Sequence, residues 1–341
     1  MNTEVLSPVL EGVPGKRRIH LPYMVRKLIG LVITLLAVIA FNFLLFRVLP
    51  GDPVRLYARS GHLSPQQAEQ LRVLLGLNHP VWEQFLIYLR SLAHGNLGFS
   101  YTYHEPVATI VGERLVNTLI LLGAATILVV GVGVVLGVMS AARRGSKFDS
   151  NTVVSSLILW SMPTFWVGLL FVFAFGVWLN ILPTNGISTP GAVYSNPLQA
   201  FADVASHLVL PTITLALVDI GQFVLVTRSS LIDVFTEDFM TTAKAKGMSQ
   251  RRLVWKHGTR NAMLPIVTAS ALYIGLIVGG AIQVETVFSW PGMGELTYEA
   301  VNRRDYPVLE ACFLIFAITV ILANFLSDLL YRRLDPRVRE A

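Results

Sequence analysis

Charged side chains are scarce in this chain of 341 residues. Asp, Glu, Lys and Arg make up 14% of it, against about 25% in an average soluble domain, while 53% is hydrophobic. This imbalance excludes an ordinary soluble domain and indicates a protein whose main partner is the lipid bilayer. The net charge of +6 does not require nucleic acid as a partner, because cytoplasmic loops of membrane proteins collect Lys and Arg.

Several chemical signatures are also missing from the sequence. The single cysteine, Cys312, excludes a disulfide within the chain. There is no Gly-Lys-Ser/Thr loop for nucleotide phosphates, and the seven histidines are scattered along the chain without forming a cluster of metal ligands. The sequence has no constellation of nucleophile, base and metal. We therefore expect no catalytic residue, no metal site and no cofactor bound by this chain.

Six long apolar segments take the place of these features. A spanning helix needs about 20 mostly apolar residues, so we predict an all-α polytopic membrane protein with six transmembrane helices. The predicted spans are 28–46, 115–141, 153–179, 207–231, 264–284 and 309–331. The first segment has no small-residue cleavage site after it, so we expect a retained span rather than a signal peptide. Gly133 and Gly137 permit close helix approach within the second span.

The distribution of Lys and Arg predicts the orientation of the chain. The N-terminal tail, the second-to-third connection, the fourth-to-fifth connection and the C-terminal tail carry five, three, six and four of them, 18 of the 27 in total. The other short connections hold none and two. The positive-inside rule therefore predicts that the tails, 1–27 and 332–341, are cytoplasmic and that the long first loop, 47–114, is external.

Two short amphipathic helices are predicted within this external loop. The segment "LSPQQAEQLRVLLG" places Ser64 at an N-cap, with Gln67 closing a capping box and Gly76 ending the helix. The segment "HPVWEQFLIYLRSLAHG" has Pro80 at its start and Gly95 at its end. Packing over the helix bundle and docking of a partner are both open roles for these helices.

A basic stretch, residues 239–265, lies between the fourth and fifth spans and has six Lys or Arg and no acid. Asp238 charges the start of a short helix, Gly247 supplies a left-handed turn, and Ser249 caps a second helix that continues to the fifth span. The first helix has small side chains that give it a slim profile: Thr241, Thr242, Ala243 and Ala245. This pattern favours a docking element over a connection that only fixes topology.

The basic stretch resembles the loop of ABC-importer permeases that forms the coupling helix and inserts into the cytoplasmic ATPase subunit. The resemblance is to the B-type subunit of the dipeptide and oligopeptide branch, through "DFMTTAKAKG" and "HGTRNAMLP". Thr241-Thr242-Ala243 stands where the general motif has Glu-Ala-Ala. Three further blocks carry the resemblance: "RVLPGDPVRLY", "LGLNHPVWEQFLIYL" with "GNLGFSY", and "VETVFSWPGMGELTYEAVNRRDYPV".

The resemblance implies the type I ABC-importer permease fold, with a five-helix core, 115–331, that contains the coupling loop, 233–263. It also implies a heterodimer with a C-type permease, two ATPase subunits, an extracytoplasmic substrate-binding protein and a place in the bacterial inner membrane. ATP and Mg would bind on the partner ATPases, so this chain would be a transport subunit rather than an enzyme. Coupling to the ATPase would fall to Thr241, Thr242, Ala243, Ala245 and Gly247.

The resemblance makes di- and oligopeptides the expected substrates, although nickel and glutathione importers share the branch. A single-component secondary transporter is the alternative from another class. Such a carrier needs several acids within its spans, and here only Asp219 lies well inside one, with Asp328 and Glu285 near span ends.

A stripe of polar residues in the fourth span is the candidate translocation pathway. Thr212, Asp219, Gln222 and Ser229 lie near one helical face. Asp219 lies about 18 Å inward, where a carboxylate has to face the bundle interior or water. We expect it to be a weak partner for cationic groups of the substrate. Pairing with a cation of the partner permease, or a protonated Asp219, are the alternatives.

The loop before the last span is the candidate external site. Trp290, Pro291, Gly292 and Glu295 are predicted to gate this side or to contact the binding protein, with plain loop closure as the alternative. Trp290 is expected at the headgroup interface. Asp305 and Arg304 are expected to form a solvated ion pair that contributes little.

Overall fold

The structure, a computed structural model, describes residues 23–48, 66–67, 72–73, 78–100 and 102–334. The described chain is mostly helical. In chain order its elements are α1 (Tyr23–Phe43), α2 (Val81–Ala93), β1 (Phe99–Ser100), β2 (Glu105–Pro106), α3 (Val107–Ala142), α4 (Lys147–Ser161), α5 (Thr164–Phe171), α6 (Pro197–Phe235), α7 (Asp238–Ala245), α8 (Gln250–Arg252), α9 (Thr259–Val287), α10 (Met293–Arg303) and α11 (Tyr306–Leu334). Short π-helical segments continue α1 (Leu44–Val48), α5 (Val172–Trp178) and α8 (Leu253–Gly258).

Four of the described helices are long and apolar enough to cross a membrane. These candidate spans are Val25–Phe46, Val107–Ala142, Pro197–Phe235 and Tyr306–Leu326. The pair α4 and α5 is a fifth candidate, bent by 97°. The bend falls at Met162-Pro163, where Met162 is extended because a proline disfavours helical backbone in the residue before it. The predicted third span is therefore a broken helix, and the predicted fifth span lies within α9.

Two helices exceed the lengths that the sequence predicted. Helix α3 has 36 residues and begins at Val107, so the last residues assigned to the external loop are helical. Helix α6 has 39 residues and begins at Pro197, ten residues before the predicted span. At 1.5 Å per residue these helices measure about 54 and 58 Å. Both therefore extend beyond a hydrocarbon core of about 30 Å.

Helices α3 and α6 form the centre of the fold and approach each other at two glycines. A Cβ on Gly133 would lie 2.5 Å from the Cβ of Phe223, and one on Gly137 would lie 2.6 Å from the Cβ of Thr227. Only glycine permits this contact, so the predicted small-residue packing is confirmed. Helix α9 completes the main core, whose members include Leu121, Ala125, Val129, Leu215, Phe223, Val284 and Trp290.

The external segment contains one predicted helix and one hairpin that was not predicted. Helix α2 follows Pro80, and Gly95 has a φ of 72°, as the sequence indicated. The predicted helix bounded by Ser64 and Gly76 lies outside the described residues, apart from helical residues 66–67 and 72–73. Strands β1 and β2 form the antiparallel hairpin, with Ser100 opposite Glu105.

Candidate functional site

Helix α7 packs against its neighbours through one buried edge. Met240 and Ala243 are 2% and 7% exposed and pack on Leu253, Val234 and Phe235. The other coupling candidates are exposed: Thr241, Thr242, Ala245 and Gly247. Ala243 is therefore not part of the exposed face to which the sequence assigned it. It faces inward because it lies three residues after Met240, on the same side of the helix.

The turn after α7 has the predicted geometry. Gly247 has a φ of 75°, the left-handed region in which residues with a side chain are strained. Its N–H donates to the Lys244 carbonyl, and the Met248 N–H donates to the Ala243 carbonyl, which closes the helix. A Cβ at Gly247 would meet no atom within 4 Å. Backbone conformation, rather than space, is what restricts this position.

The second helix of the basic stretch is less regular than predicted. Ser249 holds the N-cap position of α8, but its side chain makes no capping hydrogen bond. Helix α8 continues through the π-helical segment into α9 without a break, and Pro265 lies inside α9. Two aromatic side chains here, Phe239 and Trp255, are 41% and 46% exposed. Sequence reasoning missed them, because an aromatic residue at helical spacing is more often buried.

The four pathway candidates on α6 differ in their surroundings. Thr212 is 9% exposed, and its hydroxyl has no hydrogen-bond partner within the described chain. Asp219 is half-buried and accepts a hydrogen bond of 2.7 Å from the Tyr273 hydroxyl on α9. Gln222 is half-buried, whereas Ser229 is exposed and donates to the Val226 carbonyl of its own helix. Asp219 therefore has a partner that the sequence did not reveal, since Tyr273 lies 54 residues away.

Thr212 also borders an open apolar groove along α3. The groove has a volume of about 640 Å³ and is lined by Ala124, Ile127, Leu128, Gly131, Val132, Val135, Leu136 and Thr212. Ile127 is 77% exposed. The Thr212 hydroxyl is the one polar side-chain group among these lining residues.

The external candidates form a folded unit rather than an open loop. Trp290 is fully buried, and its indole N–H donates to the Asn117 carbonyl at 3.0 Å. The expectation that Trp290 lies at the headgroup interface is therefore wrong. The Asn117 side chain donates in turn to the Pro291 carbonyl at 2.8 Å. The side chain of Trp290 has an apolar body and one N–H, so a core position with one acceptor satisfies it.

Gly292 and Glu295 connect the same unit to neighbouring helices. Gly292 is buried, and a Cβ there would overlap the Glu285 carboxylate. Glu295 forms an ion pair of 2.9 Å with Arg114 of α3, with side chains 17% and 22% exposed. Burial raises the pKa of the Glu295 carboxyl, and the Arg114 guanidinium partly opposes this shift.

Asp305 lies at the other end of α10 and is also buried. It is 0% exposed and accepts a hydrogen bond of 2.5 Å from the Ser100 hydroxyl of the hairpin. The predicted solvated pair of Asp305 with Arg304 is therefore wrong. Arg304 is exposed, with a left-handed φ of 56° that ends the helix.

Comparison with known proteins decides the family. Residues 133–340 match the family described as binding-protein-dependent transport system inner membrane component. Residues 20–122 match the N-terminal family of the same membrane components. The chain belongs to the binding-protein-dependent transport permeases. The predicted resemblance to a peptide ABC-importer permease is confirmed.

Relatives of this permease are similar over almost their whole length. It is 38% identical over 336 residues to the dipeptide transport system permease protein of Escherichia coli strain K12, covering 94% of this chain and 99% of the relative. It is 35% identical over 317 residues to the oligopeptide transport system permease protein of Bacillus subtilis strain 168, covering 93% and 98%. A glutathione transport system permease protein of Escherichia coli O6:H1 is 38% identical over 319 residues, covering 94% and 99%.

These relatives are transport subunits, which supports a non-enzymatic role in a multi-pass membrane protein. They favour a component of an ABC importer over a single-component carrier. In the described part of the permease, no cluster of three His, Cys, Asp or Glu side chains has the arrangement of a metal site.

A buried ion-pair cluster of this permease was missed by sequence reasoning. Asp149, in the first turn of α4, is 3% exposed. Arg228 of α6 donates to both of its oxygens, from Nε at 2.6 Å and from Nη2 at 2.8 Å. The Ser140 hydroxyl and the Gly145 N–H complete the set at 2.5 and 2.9 Å. Only the fold brings Asp149 and Arg228 together, because 79 residues separate them.

Proposed function

We propose that this permease forms half of the translocation pathway of an ATP-driven importer of di- and oligopeptides. It has six spans with both termini cytoplasmic, an external first loop and a C-type permease as the other half of a heterodimer. Two ATPase subunits bind ATP and Mg, and an extracytoplasmic binding protein delivers the substrate. The proposal draws on the permease family, on peptide-transporting relatives and on the bias of 18 in 27 Lys and Arg.

The observation that carries the coupling role is the exposed helix–turn–helix at 238–258. Its buried edge, Met240 and Ala243, fixes α7 to the bundle, while Thr241, Thr242 and Ala245 face away from this edge and Phe239 is exposed at its flank. Small side chains around one aromatic fit a groove on a partner, because an aromatic anchor in a pocket supplies most of the energy of such contacts. The partner in this proposal is the ATPase subunit.

Gly247 provides the test of the coupling role. We expect Gly247→Val to leave the chain inserted but to weaken co-purification of the ATPase or to uncouple ATP hydrolysis from uptake. The β-branched residue costs about 1 kcal/mol or more at a positive φ. Gly247→Asn is the matched control, since asparagine tolerates this conformation. Normal assembly and normal uptake in the valine variant would contradict the proposal.

Topology has a separate test. A cysteine placed at Ser146 or Gln250 is expected to react with a membrane-impermeant reagent only after the cells are opened. A cysteine at Asn196 is expected to react in intact cells. Labelling of the Gln250 position in intact cells would overturn the proposed orientation.

The pathway proposal rests on α6 and its half-buried carboxylate. Asp219 is a weak and transient partner for the cationic amino terminus of a peptide, and Thr212 offers a hydroxyl without a partner in the described chain at the edge of the apolar groove. Asp219→Asn keeps shape and removes charge. We expect intact assembly and ATP hydrolysis, with uptake changed differently for cationic and neutral peptides. Equal uptake of both peptide classes at the wild-type rate would remove Asp219 from the pathway.

Glutathione is the second candidate substrate, because a glutathione permease is 38% identical to this chain. Glutathione is itself a small peptide, so the fold alone does not distinguish the two substrates. Competition for uptake between labelled dipeptide and unlabelled glutathione distinguishes them in membranes that contain the assembled importer. We expect excess unlabelled dipeptide to reduce uptake of the labelled dipeptide, and excess glutathione to leave it unchanged.

A further inference from the structure

A buried carboxylate lies directly beneath the external helix α10. Glu285, close to the end of α9, is 0% exposed. Its Oε2 accepts hydrogen bonds from the Gly294 N–H at 2.6 Å and from the Glu295 N–H at 3.2 Å. These are N–H groups of the first turn of α10, which have no acceptor within their own helix. Glu285 therefore caps α10 from another helix, with its charge at the positive end of the helix dipole.

The second oxygen of the same carboxylate connects to α3. The Thr118 hydroxyl donates to Oε1 of Glu285 at 2.7 Å and accepts the Met293 N–H at 2.7 Å. The Met293 N–H can only donate and the Glu285 carboxylate can only accept, so the Thr118 hydroxyl accepts from Met293 and donates to Glu285. One hydroxyl thus connects both the carboxylate of α9 and the backbone of α10 to α3.

The contact leaves no space for a side chain on the capped segment. A Cβ at Gly294 would lie 2.9 Å from Oε2 of Glu285 and 2.5 Å from the Cα of Ile282. At Gly292 a Cβ would overlap the carboxylate itself. None of the ion pairs in the described chain involves Glu285. Neutral donors alone therefore hold this buried carboxylate.

We propose that Glu285 and Thr118 are positioning residues that hold α10 against α3 and so set the external surface that receives the binding protein. The functional half of this proposal rests on the proposed function of that surface. Both residues act through α10, since their hydrogen bonds end on its first turn. Gly292, which the sequence assigned to the external site, contributes because it has no side chain that would overlap the Glu285 carboxylate.

The positioning step is tested by hydrogen exchange in the assembled importer in lipid nanodiscs. Glu285→Gln places an amide NH2 opposite either the Gly294 N–H or the Thr118 hydroxyl. We expect the amides of 293–296 to exchange about tenfold faster or more, because a buried donor loses its acceptor. Glu295→Gln is the matched control, with the same change in charge on the same helix but with the cap intact. Exchange of 293–296 at the wild-type rate in Glu285→Gln would overturn the positioning role.

A second pair of variants covers the case in which Glu285→Gln fails to insert. Thr118→Val removes the hydroxyl at nearly constant volume, whereas Thr118→Ser keeps it. We expect about tenfold faster exchange with valine and a change within about twofold with serine. Equal exchange rates of the 293–296 amides in the two Thr118 variants would overturn the positioning role of the Thr118 hydroxyl.

The functional step is tested by the affinity of the same nanodisc complex for substrate-loaded binding protein. We expect Glu285→Gln and Thr118→Val to raise the Kd about tenfold, and Thr118→Ser to restore it. Tyr298 on α10 is 53% exposed, so Tyr298→Ala tests the surface itself. If Tyr298→Ala weakens docking of the binding protein but Glu285→Gln does not, the positioning role of Glu285 is overturned, while the proposed contact between α10 and the binding protein stands. If neither kind of variant changes docking, the proposed contact itself fails, and with it the functional step.

Discussion

Helix α3 donates a hydroxyl hydrogen bond to a buried carboxylate at each of two distant points along its length, and the two carboxylates differ in their other partners. Ser140 donates its hydroxyl to Asp149, and Thr118 donates its hydroxyl to Glu285. These two hydroxyls are 22 residues apart, which corresponds to about 33 Å along the helix axis. Helix α3 therefore contributes to two joints, which we call the cytoplasmic joint (Asp149) and the external joint (Glu285) after the sides proposed for them.

The joints differ in what balances the negative charge. Asp149 accepts a bidentate contact from the Arg228 guanidinium, in addition to two neutral donors. Among the described residues, the donors to Glu285 are one hydroxyl and two backbone N–H groups. A bidentate Arg–carboxylate contact supplies a compensating charge and a fixed geometry, which hydroxyl and backbone N–H donors do not supply.

The largest expected effect comes from removing the cation of the cytoplasmic joint. Arg228→Met leaves the Asp149 carboxylate, 3% exposed, without its charge partner. Breaking a buried pair from one side costs about 3–5 kcal/mol, and we expect the lower end because the Arg228 side chain is 26% exposed. The measurement is the unfolding midpoint of the purified chain in a denaturing-detergent titration.

The double variant Asp149→Asn with Arg228→Met is the control for this prediction. With both charges removed, no unpaired charge is left at this joint, so we expect the double variant to be more stable than Arg228→Met alone. A double variant that loses the sum of the two single effects would show that the two residues act independently. That result would remove the charge-based difference between the joints.

The second prediction tests whether α3 is a rigid scaffold between the joints. A Cβ on Gly137 would lie 2.6 Å from the Cβ of Thr227 and 2.8 Å from the Val224 carbonyl, so Gly137→Ala has to separate α3 from α6. We expect a loss of about 1–3 kcal/mol from overpacking. The matched control is Gly131→Ala, where a Cβ meets nothing within 4 Å. Equal unfolding midpoints for the two alanine variants would contradict the close contact.

The sequence predicted the local features of this fold well, because they depend on residues close in the chain. Of the six predicted spans, four coincide with candidate spans among the described residues and a fifth with the bent pair. The helix at Pro80, the close glycines at Gly133 and Gly137, and the left-handed Gly247 were predicted from short patterns and are confirmed. Helix ends were less accurate. The start of α6 at Pro197 follows from an Asn196 cap in a segment without a continuous apolar run, so hydropathy could not indicate it.

The joints themselves could not be predicted, because each depends on pairs that are distant in sequence. Glu285 and Thr118 are 167 residues apart, and Asp219 meets Tyr273 across 54. The same limit explains the error at Trp290. A tryptophan beside a span end favours the headgroup interface, but here the Asn117 carbonyl offers an acceptor inside the bundle.

The third prediction compares the two hydroxyls of α3 directly. Thr118→Val leaves both the Met293 N–H and one oxygen of Glu285 without a partner. Ser140→Ala leaves Asp149 with three other donors. We expect losses of about 2 kcal/mol and about 1 kcal/mol respectively, because an orphaned buried donor costs more than one missing bond among several. A larger loss of stability in Ser140→Ala than in Thr118→Val would contradict this prediction. The readout is again the unfolding midpoint.

The smallest expected effect is at the ion pair beside the external joint. Glu295→Gln removes the contact with Arg114, but it also removes a carboxylate whose pKa is raised by burial. The raised pKa means that folding favours the protonated form, so a neutral side chain recovers part of what the lost ion pair contributes. The two terms oppose each other, and we expect a net change within about 1 kcal/mol in the unfolding midpoint. For the same reason, the wild-type contribution of Glu295 increases slightly as pH falls through its pKa, whereas the glutamine variant lacks this term. A loss above about 2 kcal/mol in Glu295→Gln would mean that this ion pair, rather than Glu285 and Thr118, holds α10 in place.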